Sequence, residues 1–272
     1  MSGLTLTMTE ALRQRLDMSQ LLPERLADLD PVAIAAIELP CGNSRLRLGD
    51  VFAITPGDPA DLCIHSRGAK LDYVGQGMTS GRLTVEGDVG AYAGLGMRGG
   101  HLAIKGHAGA FAGAAMRDGV MEIGGNAGDF LGSGLPGERR GMTGGFIFLR
   151  GDAGNRAADR QRRGIILIEG NVGDYLGARM VAGTTIVLGK CGAWSGYAMK
   201  RGTLLLADQP LRIPPGFGDC GVHELVFLRV LIAALRDRSA RLAAAAALFK
   251  QVRRFAGDAS AAGKGEILLA GG

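Results

Sequence analysis

The chain has 272 residues, of which 46 are glycine, with 5% aromatic side chains and a formal net charge of +5. That length supports a sizeable core, and the few aromatics leave packing to aliphatic side chains and close backbone approach. The mild positive balance suits an acidic partner, but no nucleic-acid motif and no basic–aromatic interleaving accompanies it, which excludes a nucleic-acid claim.

Residues 1–60 are expected to form an N-terminal capping segment. The alternating run Leu4-Thr5-Leu6-Thr7-Met8 reads as a strand, and Pro23 and Pro31 mark short helical or turn pieces. Glu10, Arg13, Arg15 and Asp17 interrupt the first 22 residues, so no apolar leader is seen and a cytoplasmic location without a membrane span is expected. Gly49 stands 19 residues before Gly68, so Leu46-Arg47-Leu48-Gly49-Asp50 reads as a degenerate first coil.

Residues 61–209 carry a 19-residue echo. Gly68, Gly87, Gly106 and Gly125 are 19 apart, as are Gly151, Gly170 and Gly189; one step, Gly125 to Gly151, is 26. Further glycines recur three, seven and thirteen places after most anchors. Such a G-x-x-G-x-x-x-G period predicts a solenoid. In nearly every copy alternate positions before the anchor are apolar, as in Leu83/Val85, Leu102/Ile104 and Met121/Ile123, the pattern of a half-buried strand. The anchor glycines are expected to turn the corner with positive φ. Tyr73, Tyr92, Phe111, Phe130, Tyr175 and Trp194 fall five places after the anchors, and Met78, Met97, Met116, Met142, Met180 and Met199 ten places after. Both columns are expected to pack in the core, about 4.8 Å per step. A 19-residue coil is too short for a strand plus a full helix. The predicted fold class is therefore an all-β solenoid, a right-handed parallel β-helix of about seven coils.

The repeat breaks once. Seven extra residues lie within 133–141, and the next coil replaces its aromatic by Arg156, a glycine by Ala158 and its methionine by Gln161. Arg139, Arg140, Arg150, Arg156, Arg160, Arg162 and Arg163 crowd these two coils. Stacking would gather them into one basic patch, a candidate site for an acidic carrier or a partner subunit; a tolerated insertion with solvated charges is the alternative.

Residues 210–272 are expected to be a linker and a C-terminal helical extension. Pro210, Pro214, Pro215 and Gly216 form the linker, and a loose apolar stripe suggests one helix over about 222–255, too short in its apolar part to span a bilayer. Residues 257–265 read as flexible and 266–270 as an edge strand.

No catalytic constellation is visible. Cys41, Cys63, Cys191 and Cys220 lack C-x-x-C spacing and are expected to be free thiols, and His65, His101, His107 and His223 form no ligand set. Gly94-x-Gly96-x-x-Gly99 and Gly132-x-Gly134-x-x-Gly137 match a dinucleotide fingerprint, but both lie inside the repeat and neither opens a helix. No metal ligands and no cofactor held by this chain are expected.

The 19-residue coil resembles the β-helix shared by the C-terminal domain of the glutamate synthase large subunit and the C subunit of formylmethanofuran dehydrogenase. Cys41-Gly42-Asn43 with Leu46-Arg47-Leu48-Gly49-Asp50-Val51-Phe52, and Gly57-Asp58-Pro59 with the run from Tyr73 to Gly81, are similar to the second group. Gly216-Phe217-Gly218-Asp219-Cys220-Gly221 and the Ala/Arg-rich stretch after it resemble its bacterial branch, the C subunit of the formyltransferase/hydrolase complex of methylotrophs. The resemblance implies a subunit without catalytic residues of its own, in a complex that oxidises formaldehyde to formate with tetrahydromethanopterin and a methanofuran-like carrier whose tail is rich in glutamate. It further implies a formyltransferase subunit, an amidohydrolase-like hydrolase subunit that holds metal, and a further scaffold subunit as partners. A glutamate-synthase-type scaffold, whose hallmark would be a flavin- and iron–sulfur-binding partner, and the archaeal molybdenum/tungsten enzyme stay open as alternatives.

Overall fold

The computed structural model describes residues 3–271. The chain is mostly β, and its centre is a 13-stranded, mainly parallel sheet. The strands Arg82–Glu86, Arg98–Ile104, Asp118–Ile123, Phe146–Leu149, Ile165–Ile168, Thr184–Val187 and Thr203–Leu206 lie side by side in parallel. Their register follows the glycine period: Leu83 pairs with Leu102, Leu102 with Met121, Met121 with Ile147 and Ile147 with Ile166. A second ladder of bridges joins Ala108, Ala127, Ala153, Val172 and Cys191. Short carboxylate and amide side chains reinforce it. Asp88 Oδ1 accepts from His107 N at 2.7 Å, and Asn171 Oδ1 accepts from Lys190 N at 2.9 Å.

The glycines act differently from expectation. Among the anchors only Gly68 and Gly87 hold positive φ. Gly125 is glycine because a Cβ there would stand 2.8 Å from the carbonyl oxygen of Gly106, and Gly170 would collide in the same way with Gly151. The anchors permit close backbone approach, while the turn itself is made further on, at residues such as Gly94 (φ 65) and Gly100 (φ 75).

The methionine column is fully buried from Met78 to Met199, as expected. The aromatic column is not core. Tyr73, Tyr92, Phe111 and Phe130 are half-buried at positive φ and stack face to face with centroids 4.9, 5.2 and 4.7 Å apart. Their left-handed backbone directs the rings along the surface of the stack rather than inward.

At the start, Gly3–Met8 runs parallel to Asp58–His65, and Phe52–Thr55 closes that edge in antiparallel fashion. The degenerate coil expected at residues 46–50 does not form. Ser44–Arg47 pairs antiparallel with Glu38–Cys41, and Leu48–Val51 makes a helical turn, so this segment caps the stack instead of extending it.

At the other end the single helix over 222–255 gives way to strand, helices and strand. Gly218–His223 and Val252–Gly257 pair antiparallel around the helices Val226–Leu235 and Ala240–Ala245. Gly265–Ala270 is not an edge strand, because it lies between Thr203–Leu206, to which it is parallel, and Val252–Gly257. Residues 257–265, read from sequence as flexible, are tied down through Asp258, a buried carboxylate that accepts from Ser260 N and Oγ and from Ala198 N.

Two cores result. The inner one holds Leu83, Met121, Ile147, Ile166 and Leu204 with the methionines. The outer one forms where Leu228, Ile232, Leu235, Leu242 and Phe249 cover Phe148, Leu167, Ile186 and Leu205. Each such buried side chain contributes about 1.5–3 kcal/mol. This explains a contrast in the strands. Arg82–Glu86 alternates, whereas Ile165–Ile168 is apolar throughout because both faces are covered.

Candidate anion-binding groove

The extra residues leave the stack without disturbing it. Gly134 and Gly141 lie against each other: Gly134 N donates to Asp159 O at 3.2 Å and Gly141 N to Arg160 O at 2.8 Å. Between them the chain loops outward, closed by Glu138 N donating to Leu135 O at 3.0 Å and clamped by Arg160 Nη1 donating to Glu138 O at 2.6 Å. The loop forms one wall of a groove of about 860 Å³, lined by Ala115, Arg117, Leu135, Glu138, Arg139, Arg140, Thr143, Arg162 and Arg163.

Five guanidinium groups and one carboxylate line this groove. No ion pair among the described residues involves any of the five arginines, whereas Arg179, outside the groove lining, is paired with the buried Asp159. Like charges gathered on one surface repel, and an anion laid among them relieves that repulsion. The planar forks suit carboxylate or phosphate oxygens.

The seven arginines singled out in sequence divide. Arg139, Arg140, Arg162 and Arg163 line the groove and Arg160 braces its loop. Arg156 sits elsewhere, in the aromatic column with its guanidinium 4.8 Å from the Tyr175 centroid. Arg150 lies over Phe148 at 5.5 Å, beside the outer core. Arg117 was missed. It stands eleven places after Gly106, as Arg162 does after Gly151, so the glycine ruler alone puts them in one column.

Gln161 holds the corner that presents Arg162 and Arg163. Its Nε2 donates to Gly164 O at 3.0 Å, from the column position that methionine fills in the other coils.

The remaining candidates have structural surroundings. His107 Nδ1 accepts from Asn126 N at 2.8 Å, and His101 Nε2 is 3.2 Å from Glu122. Burial, with the Asp208 carboxylate second, pushes the Cys191 thiol up to about 12. Burial, then Glu86 and Asp61, raises Cys63. Among the described residues no group of three or more His, Cys, Asp or Glu side chains is placed to hold a metal, and no helix is long and apolar enough to cross a membrane.

These features define a repeat-built β scaffold that carries a cationic groove. Comparison with known proteins narrows the class. No family model matches. The chain is 36% identical over 86 residues to the C subunit of the formyltransferase/hydrolase complex Fhc of Methylorubrum extorquens, and 32% identical over 78 residues to the C subunit of the tungsten-containing formylmethanofuran dehydrogenase 2 of Methanococcus maripaludis. Those alignments span 32% and 29% of the relatives' length, respectively, and 32% and 28% of this chain. A chain in the crystal structure of the formyltransferase/hydrolase complex (FhcABCD) from Methylorubrum extorquens in complex with methylofuran is similar throughout: TM-score 0.90, 34% identity, 98% of this chain and 100% of that one. The chain belongs to the family formed by the C subunits of the formyltransferase/hydrolase complex and of formylmethanofuran dehydrogenase.

Proposed function

We propose that this chain is the non-catalytic scaffold subunit of a cytoplasmic formyltransferase/hydrolase complex, which oxidises formaldehyde to formate through tetrahydromethanopterin-linked one-carbon units. The stacked segments wind as a right-handed parallel β-helix of about seven coils, and this column holds a formyltransferase subunit, an amidohydrolase-like hydrolase subunit and a further scaffold subunit in place. In this proposal the metal belongs to another subunit and this chain binds no cofactor of its own. The observation that carries the proposal is the likeness at TM-score 0.90 and 34% identity over nearly the whole chain to a component of such a complex. It favours this setting over a glutamate-synthase-type scaffold.

The groove of Arg117, Arg139, Arg140, Arg162 and Arg163 then receives acidic groups, in the first place the glutamate-rich tail of a methanofuran-like carrier. The unpaired guanidiniums fit a chain of carboxylates, raising its local concentration and its rate of capture. Affinity purification of the tagged native chain, followed by native mass spectrometry, tests the assembly. Co-elution with a formyltransferase-like and an amidohydrolase-like subunit is expected. A chain that elutes alone, or with a flavin- and iron–sulfur-binding partner, overturns the proposal.

A further inference from the structure

The helix Val226–Leu235 is apolar nearly all round, with Arg229 its one charged residue. Leu228, Ile232 and Leu235 face the sheet, yet Val226 and Val230 on the far side are 72% and 66% exposed. A helix apolar on every face belongs inside a protein or against a partner. Beside it runs a groove of about 830 Å³, whose other wall is the alanine-rich stretch with Ala243, Ala244 and Ala247. Alanines let a neighbouring helix axis come close. The rim carries Arg229, Arg236 and Lys250 against Glu224 alone, and among the described residues neither Arg229 nor Lys250 is in an ion pair.

We infer that this groove is a docking site for an acidic amphipathic helix of another subunit, its apolar stripe laid on Val226, Ala233 and the facing alanines and its carboxylates meeting Arg229 and Lys250. A second copy of this chain fits poorly, because a two-fold contact would set the cationic rim against itself. The inference rests on the proposed membership of a multi-subunit complex and concerns a surface remote in sequence from the arginine groove.

A photo-crosslinking residue placed at Ala233, an exposed residue lining the groove, in the complete complex, with peptide mapping, tests it. A crosslink to one Asp/Glu-rich helical segment of a different subunit is expected. A crosslink to a second copy, to a strand or to a non-acidic segment, or none at all, overturns it. In parallel, Arg229→Glu with Lys250→Glu should reduce retention of that subunit by about tenfold or more while the chain's own melting stays unchanged. Undiminished retention overturns the inference; if the variant does not fold, the crosslink decides. A chain purified alone removes this inference and the proposed function together, whereas an intact complex lacking the crosslink removes only this one.

Discussion

Thr185 Oγ1 donates to Gln161 Oε1 at 2.7 Å, and both side chains are fully buried. This polar pair lies in a core filled mainly by methionine and aliphatic side chains, and it stands directly behind the corner that carries Arg162 and Arg163. Replacing Gln161→Met orphans the Thr185 hydroxyl and frees that corner, for an expected cost of about 1–3 kcal/mol. The double change Gln161→Met with Thr185→Val removes both partners and is expected to recover most of the loss. A double-mutant cycle by chemical denaturation measures the coupling.

Two glycine substitutions should differ sharply. A Cβ at Gly170 would collide with the Gly151 carbonyl oxygen, so Gly170→Ala must push two adjacent segments apart. Gly77 holds positive φ but faces open space, so Gly77→Ala bears only the left-handed strain of about 1–2 kcal/mol. Gly170→Ala is expected to cost more, about 3 kcal/mol or above. Thermal unfolding of the two variants side by side checks the order, and equal losses would remove the close-approach account of the anchors.

If the arginine groove takes carboxylates, binding of a short oligoglutamate peptide to the complex should weaken as salt rises from about 0.05 to 0.5 M, since exposed charges are screened. Arg139→Glu with Arg162→Glu should weaken it by about tenfold. Reversal at Arg150, which lies over Phe148 away from the groove, should leave it unchanged. Titration calorimetry reads all three, and binding insensitive to both salt and reversal excludes the groove.

Thiol labelling should follow burial. Cys220 is exposed and reacts first, Cys63 follows more slowly, and the buried Cys41 and Cys191 react last. The raised Cys191 value has a stability consequence. In the unfolded chain its thiol ionises near pH 8.5. In the folded chain it stays protonated up to about 12. Its contribution is therefore complete below pH about 8.5 and is lost as pH rises toward the folded value, at no more than about 1.4 kcal/mol per pH unit. Cys191→Ala should flatten the alkaline limb of a denaturation series.

The period, the inner face of the strands and the methionine column were legible in the residues, because each is set by spacing within a single sequence repeat. Leu83, Leu102 and Met121 hold the same place in the repeat, and their in-register pairing follows from identical repeat lengths. The outer cover was half-written: the unbroken run Ile165–Ile168 demands burial on both faces but does not say what supplies it. The last strand was legible as a strand but its place was not: Gly265–Ala270 lies inside the sheet because it finds its partner in Thr203–Leu206, far earlier in the chain, and nothing local to either segment encodes that pairing. The groove likewise depends on contacts across coils. Looping-out of residues between Gly134 and Gly141 turns Arg139 and Arg140 toward Arg117, Arg162 and Arg163, and left-handed backbone at Arg156 sends that side chain onto Tyr175 instead. One-dimensional periodicity determined the column; three-dimensional closure decided which charges meet on its surface.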